Sequence, residues 1–442
     1  MAQKLGLKMN IMKQRVAYNS ESDLKKIKIA EGLTEFPRDL FEWSDTLEIL
    51  DLSDNKISSL PADFGRFIKL KIVFFANNAF TLFPKVLADC PELRMVGFKS
   101  NQIRWIPEDA FPAKLSWLIL TDNQLTDLPK SIGNCKFLQK CALAGNQLNT
   151  LPPEMENCVH LELLRVSANQ LVTLPQWLIE LPRLSWLGFS GNPCAIQPLN
   201  STAIDFLSWD ELELQEQLGE GASGVISKAY WKTQNKAVAV KLFKGAVTSD
   251  GYPSDELATC LTTGKHANLV PLIAQINQHP EGKQGIVMEL IPFEYTNLGN
   301  PPSLDSCTRD VFTKEQKFEL LQALKIMTGI ASAAKHLHEK GILHGDLYAH
   351  NTLYRPDGKS FLGDFGAASF YDKTHFSAAA IERIDIRAFG CFMEDLLTRT
   401  VPSDNIVFQE LTLLMQSCLQ TAIAKRPDFK EVLEQLEKVQ CQ

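Results

Sequence analysis

Apolar residues recur through the first half of the chain with a fixed period. The segment LEILDLSDNKISSLP, which starts at Leu47, aligns with LKIVFFANNAFTLFP, which starts 23 residues later at Leu70. Each copy predicts one short strand, in which Leu50, Leu52 and their equivalents point inward, followed by a turn at an asparagine. Further copies begin at Leu93, Leu115, Leu138, Leu161 and Leu184, and a shortened copy begins at Leu24.

The spacing L-x-x-L-x-L-x-x-N resembles that of the leucine-rich repeat family over residues 24–195. One repeat cannot bury its own apolar side, so the resemblance implies an α/β solenoid of about eight stacked repeats with a concave strand face that binds proteins. The recurring asparagine is expected to satisfy backbone groups of the adjacent turn, a structural role. Its copies are Asn55, Asn78, Asn101, Asn123, Asn146, Asn169 and Asn192.

The third residue of each copy should point out of the concave face, and six of these seven residues are apolar. They are Ile49, Ile72, Met95, Trp117, Lys140, Leu163 and Trp186. Because aromatic residues anchor interfaces, we predict a protein-binding surface formed by Trp117, Trp186, Met95 and Phe74. The alternative is an ordinary repeat surface, since exposed apolar residues are common.

The second half begins with a glycine-rich segment between two apolar, strand-like runs. In LGEGASGVISKAYW, the residues Gly219, Gly221 and Gly224 would let backbone N–H groups approach phosphate oxygens. This segment alone is equally typical of a glycine-rich hairpin without a ligand. The strand AVAVKLF then places Lys241 17 residues after Gly224, and Glu256 follows.

Two later segments carry acidic and amide side chains suited to phosphate transfer. HGDLYAHN contains Asp346 and, five residues on, Asn351, while FLGDFG contains Asp364. Their oxygens are hard ligands that could complete a magnesium site together with ATP phosphates and water. The order of glycine loop, Lys241, Glu256 and these segments resembles the protein kinase family.

The resemblance implies a role for each matched residue. Lys241 would contact the α and β phosphates of ATP and be oriented by Glu256, with the neighbouring Asp255 as an alternative. Asp346 would accept the substrate hydroxyl proton, and Asn351 and Asp364 would hold Mg²⁺. The adenine site would comprise Met288 as gatekeeper and the backbone from Glu289 to Ile291.

The chain departs from the family at three places. Gly345 replaces the Arg that reads a phosphorylated activation loop, so we expect activity without loop phosphorylation. Asp385 follows Asp364 by only 21 positions, without an APE sequence between them, and Glu382 is a candidate partner of Arg426. Tyr348 stands where Ser/Thr kinases carry Lys, and the tyrosine-kinase Arg is also absent. The type of acceptor residue stays open, with Ser/Thr slightly favoured.

The resemblance covers residues 206–440, with wording such as WDELELQEQLGEG and RAFGCFMEDLL closest to the tyrosine-kinase-like group. Two other classes stay open. HGD also occurs in phosphotransferases that act on small molecules, although these normally lack the full set of kinase motifs. A pseudokinase scaffold would have lost the lysine or a catalytic or metal-binding aspartate, and this chain retains all three.

Charge, cysteine content and the length of apolar runs indicate the class of partner and the location of the protein. The net charge of −7 and the pI near 5.7 argue against nucleic acid as a partner. Ten cysteines without close pairs fit a reduced, cytoplasmic location. The chain has no apolar run long enough to predict a membrane span. We therefore predict a leucine-rich repeat domain over 1–205 and an α+β, bilobal protein kinase domain over 206–442, which uses ATP and Mg²⁺.

Overall fold

The chain divides into two compact units, residues 1–161 and residues 162–442. The structure is a computed structural model that describes residues 24–196, 205–221, 223–244, 247–401 and 406–440. Residues 162–196 continue the repeat pattern in sequence but pack as part of the second unit. The domain boundary at residue 205 stays a prediction from the sequence pattern.

The first unit contains one three-residue strand per repeat. These strands are β1 (Lys26–Lys28), β2 (Ile49–Asp51), β3 (Ile72–Phe74), β4 (Met95–Gly97), β5 (Trp117–Ile119) and β6 (Lys140–Ala142). Consecutive strands pair in parallel at equivalent repeat positions, for example Met95 opposite Trp117. Short 3-10 helices such as Lys85–Asp89 lie between the strands. The predicted stacked solenoid is confirmed.

The recurrent asparagines bind backbone groups, as the sequence predicts. The Oδ1 atom of Asn123 accepts a hydrogen bond from the N–H of Ile103 at 2.9 Å. Its Nδ2 atom donates to the carbonyls of Phe98 at 2.9 Å and Leu120 at 3.1 Å. The side chain is buried and joins adjacent repeats, because a strand of three residues leaves many turn groups without a ladder partner.

The second unit opens with two repeat strands and continues with a six-stranded sheet. The repeat strands β7 (Leu163–Arg165) and β8 (Trp186–Gly188) pair in parallel, with helix α1 (Gln176–Ile179) between them in sequence. The sheet strands are β9 (Phe206–Ser208), β10 (Leu212–Glu220), β11 (Gly224–Trp231), β12 (Lys236–Phe243), β13 (Leu272–Asn277) and β14 (Gly285–Glu289). Their order is β10-β11-β12-β14-β13-β9, and the β13–β9 pair is parallel whereas the other pairs are antiparallel.

Helices dominate the remainder of the second unit. They are α2 (Pro253–Thr263), which lies between β12 and β13 in sequence, α3 (Leu320–Glu339), α4 (Ala378–Leu397), α5 (Ile406–Cys418) and α6 (Phe429–Gln440). Short strands complete the fold: β15 (Thr296–Asn297), β16 (Ile342–Leu343), β17 (Thr352–Tyr354), β18 (Ser360–Leu362) and β19 (Ser369–Phe370). None of the helices in the described ranges is both long and apolar enough to cross a bilayer.

The core of the second unit includes the repeat strands. Ile330 of α3 and Phe389 of α4 belong to one buried cluster that also contains Leu163 of β7 and Trp186 of β8. Buried residues of α3 recur every three or four positions, as expected for a helix with one face in the core. The pair β7–β8 is thus built into the core of this unit.

Candidate active site

A cleft of about 500 Å³ lies within the second unit and collects most of the predicted site residues. Those on its lining are Gly219, Lys241, Glu256, Met288, Glu289, Ile291, Asn351 and Asp364. Among the described residues that were predicted for the site, Gly221, Gly224 and Asp346 are not on that lining. The cleft therefore brings together most of the residues predicted for nucleotide and metal, and Asp346 lies beside it, bonded to Asn351.

Lys241 and Glu256 form a buried ion pair. Lys241 lies on β12, and Glu256 lies in the first turn of α2, where the start of the helix turns it toward the sheet. Burial by itself lowers the pKa of Lys241, but the carboxylates of Glu256 and Asp364 outweigh burial and leave this pKa raised. The lysine is therefore a cation in the cleft. The alternative residue Asp255 lies instead beside Gly191, where an added Cβ would be 2.9 Å from its Oδ2.

The glycine-rich segment has one glycine required by packing and two that leave open space. A Cβ added at Gly224 would lie 2.5 Å from the carbonyl oxygen of Leu242, so a larger residue would force the backbone to shift. A Cβ added at Gly219 or Gly221 would meet no atom within 4 Å. Protein packing does not explain these two glycines, whereas close approach of a phosphate group would.

Asp385, at the centre of α4, fixes the catalytic loop, which we define as residues 344–351. Its buried carboxylate accepts the backbone N–H groups of His344 at 2.8 Å and Gly345 at 3.0 Å. Asp346 then accepts a hydrogen bond at Oδ2 from Asn351 Nδ2, at 2.7 Å. That nitrogen also donates to the carbonyl of Asp346, at 2.9 Å, so the amide oxygen of Asn351 is the atom that would face a bound cation.

The donor atoms near Asp364 suit a hard cation. Burial raises the pKa of Asp364, but Lys241 and the N–H of Gly366, 3.1 Å away, outweigh burial and leave this pKa lowered. Asn351 and Asp364 both line the cleft, so the cleft offers an amide and a carboxylate oxygen. No group of three His, Cys, Asp or Glu that could hold a metal occurs within the described residues. The two residues therefore fit Mg²⁺ that takes its other ligands from phosphate and water.

Arg165 contacts the catalytic loop, and the sequence reasoning missed it. Its guanidinium is buried with 4% exposure and forms an ion pair with Asp346. Nη1 donates to the carbonyl of Gly345 at 3.0 Å, and Nε donates to Asp250 at 2.8 Å. A signal was present in the sequence, since the equivalent positions of the four preceding repeats carry Phe, Gly, Ile and Ala, and a lone Arg on such a strand needs a partner.

Trp186 does not occupy the partner-binding surface that we predicted for it. Its ring stacks on Tyr348 with centroids 4.4 Å apart and planes 6° apart. Its N–H donates to the carbonyl of Leu347 at 3.1 Å, and the side chain is only 1% exposed. Trp186 therefore binds the catalytic loop of its own chain and is not available to another protein.

Packing of β8 explains the glycine at position 345. Gly345 has φ of +69°, a conformation that favours glycine. A Cβ added there would clash with the carbonyl oxygen of Leu187 and lie 2.9 Å from that of Ala367. An arginine at this position is incompatible with the strand that lies against the loop.

The predicted pairing of Glu382 with Arg426 is wrong. Arg426 donates to the backbone carbonyls of Gln420 at 2.7 Å, Pro182 at 2.7 Å and Arg383 at 3.1 Å. Glu382 accepts the hydroxyl of Tyr371 at 2.6 Å instead. The short segment after Asp364 thus leaves Arg426 to bind carbonyl groups, including one from the repeat region.

Comparison with known proteins matches one segment in each half of the chain. Residues 212–383 match the protein kinase domain, and residues 46–67 match the leucine-rich repeat. "Probable serine/threonine-protein kinase gdt4" of Dictyostelium discoideum is 27% identical over 54% of this chain and 16% of its own length. Fibroblast growth factor receptor 1 of Pleurodeles waltl is 23% identical over 52% of this chain and 35% of its own length.

A third relative, "Probable cyclin-dependent kinase 10" of Dictyostelium discoideum, is 32% identical over 37% of this chain and 41% of its own length. The chain thus spans less than half the length of these three relatives. Membership of the tyrosine-kinase-like group stays a prediction. Together, the matches show that the chain contains a leucine-rich repeat at residues 46–67 and a protein kinase domain at residues 212–383.

Proposed function

We propose that this chain transfers the γ-phosphoryl group of ATP to a protein hydroxyl in a magnesium-dependent reaction. The observation that carries the proposal is the buried Lys241–Glu256 ion pair in the cleft that Asn351 and Asp364 also line. This pair and the metal-binding aspartate must both be in place in an active kinase. A scaffold that had lost phosphate transfer would have no need to retain all four groups.

The residues divide the chemistry between them. Lys241 binds the α and β phosphates, the loop at Gly219 and Gly221 lies over them, and the backbone from Glu289 to Ile291 binds adenine beside Met288. Bound magnesium would neutralise charge on the phosphates. Asp346 orients the acceptor hydroxyl and takes its proton at a carboxylate oxygen.

The test is transfer of label from γ-labelled ATP with magnesium, using generic protein substrates and small-molecule acceptors. We expect label on protein that is lost in Asp346→Asn and Lys241→Ala but kept in Trp117→Ala, because Trp117 lies outside the second unit. Label carried only by small molecules would reject the protein substrate. A wild type that binds ATP but labels nothing would favour the scaffold. Analysis of the labelled residue would decide between Ser/Thr, which we favour, and Tyr.

We further propose that the first unit binds a protein through Trp117 and Phe74. Trp117 is half-buried, with the ammonium group of Lys140 4.2 Å from its ring centroid, and Met95 lies opposite it on the next strand. Phe74 lies over Gly97, where an added Cβ would be 2.7 Å from its ring. The prediction that Met95 contacts a partner is wrong, because Met95 is only 3% exposed and packs beneath this surface.

The matched test compares Trp117→Ala with Trp105→Ala, since Trp105 is 57% exposed but was not predicted for this surface. Proteins cross-linked to the first unit should be lost in the first variant and kept in the second. Equal capture by both variants would reject the surface.

A reducing, cytoplasmic location is also proposed, because burial raises the pKa of thiols such as Cys418 to about 12 and suits cysteines that stay reduced.

A further inference from the structure

One side chain from the repeats links two parts of the kinase site. Arg165 of β7 binds Asp250, in the connection that precedes α2, and also binds Gly345 and Asp346 of the catalytic loop. The planar guanidinium holds all three groups through separate nitrogens, a geometry that lysine lacks. The loop before α2 and the catalytic loop are thereby joined through a repeat strand.

The start of α2 also packs on the turns that follow β7 and β8. A Cβ added at Gly251 would lie 2.8 Å from Cβ of Ser167, and one added at Gly191 would lie 2.8 Å from the ring of Tyr252. The same added Cβ at Gly191 would lie 2.9 Å from Oδ2 of Asp255. Since α2 carries Glu256, the repeat strands support the helix whose position determines the ion pair with Lys241.

The catalytic loop lacks the cations that its family resemblance implies. Position 345 is Gly and position 348 is Tyr, so within residues 344–351 neither Arg nor Lys is present. The buried guanidinium of Arg165 lies beside Asp346 and supplies a positive charge from outside the loop. Its charge is shared by two carboxylates, Asp250 and Asp346, which compensates its burial.

We propose that Arg165 is a positioning residue for phosphate transfer, which holds Asp346 and the start of α2 in their working arrangement. It would replace the link that other kinases form between an arginine and a phosphorylated activation loop. The inference rests on the proposed kinase function. It explains how a kinase with Gly345 could work without loop phosphorylation.

The contacts around Asp346 indicate that Arg165 supports the site and does not block it. The Lys241–Glu256 pair is formed, and Phe365 is buried with its ring 5.5 Å from that of His344. The cleft lined by Lys241 and Asp364 keeps a volume of about 500 Å³. Asp346 uses one oxygen for Arg165 and the other for Asn351, and a carboxylate has about four acceptor sites, so it can still accept an acceptor hydroxyl.

The experiment measures kcat and the KM for ATP in the full chain carrying Arg165→Gln, Arg165→Lys or Asp250→Asn. Because misplacement by about 1 Å can cost about 100-fold, we expect Arg165→Gln to lower kcat by about that factor with the KM for ATP within about twofold. Arg165→Lys should recover part of the loss, and Asp250→Asn should lose less than Arg165→Gln. Arg94→Gln, an exposed arginine of the first unit, is the matched control.

Hydrogen exchange of α2 provides a readout that does not need activity. Exchange across Pro253–Thr263 should rise in Arg165→Gln while α3 stays protected, which separates a local release from unfolding. Increased phosphate transfer in Arg165→Gln would show that β7 obstructs Asp346 and would overturn the proposal. Unchanged kcat together with unchanged exchange would also overturn it. If the wild type transfers no phosphate, the proposed function fails, and the exchange of α2 still decides whether Arg165 positions the helix.

Discussion

Replacing Trp186 by alanine should destabilise the second unit strongly, because the side chain is part of its core. The ring is 1% exposed, stacks on Tyr348 and donates a hydrogen bond to the carbonyl of Leu347. Truncation of a buried tryptophan costs about 3–5 kcal/mol. Trp186→Phe keeps an aromatic ring but leaves the Leu347 carbonyl without its donor, so we expect an intermediate cost of about 1–3 kcal/mol.

The assay is hydrogen exchange as a function of urea, since the two units need not unfold together. In Trp186→Ala, the free energy of opening reported by α3 should fall by about 3–5 kcal/mol, while that reported by β5 stays unchanged. Trp117→Ala is the matched control and should affect β5 alone, because Trp117 lies in the first unit. A loss below about 1 kcal/mol at α3 would refute the assignment of β8 to the core of the second unit.

Three further predictions concern other contacts. Gly345→Arg should destabilise the second unit and abolish phosphate transfer, measured by thermal unfolding and labelling, because its Cβ would clash with the carbonyl of Leu187; a stable, active variant would contradict this. Burial by itself lowers the pKa of the His350 imidazole. The Asp310 carboxylate, 2.7 Å away, outweighs burial, so this pKa is raised above 6.5. The stabilisation is therefore full below pH 6.5 and is lost as the pH rises through the folded-state value, so unfolding free energies at several pH values should show a slope that Asp310→Asn removes. Asn123→Ala should cost the first unit about 2–4 kcal/mol in urea unfolding, because it orphans buried backbone groups, and a cost below about 1 kcal/mol would contradict that role.

The repeats and most residues of the cleft could be predicted from the order of residues along the chain. A fixed spacing of leucines and asparagines predicts the parallel strands because each repeat makes the same contacts with the next. The spacing of the motifs from Gly219 through Lys241 to Asp364 predicts most of the residues that line the cleft. Gly221, Gly224 and Asp346 were also predicted for the site but do not line the cleft. Local order along the chain carries this information, since these residues sit on neighbouring strands and loops.

The roles of Arg165, Trp186 and Gly345 depend on packing between segments that are far apart along the chain. Arg165 and Gly345 are 180 positions apart, and their contact depends on how two repeat strands pack against a distant loop. Periodicity places Trp186 on the concave face but cannot say what covers that face. Gly345, where the family carries arginine, is required by the packing of β8. The cation beside Asp346 is Arg165 of β7. Neither role is visible in the local sequence, because every element that packs against the catalytic loop limits which residues fit there.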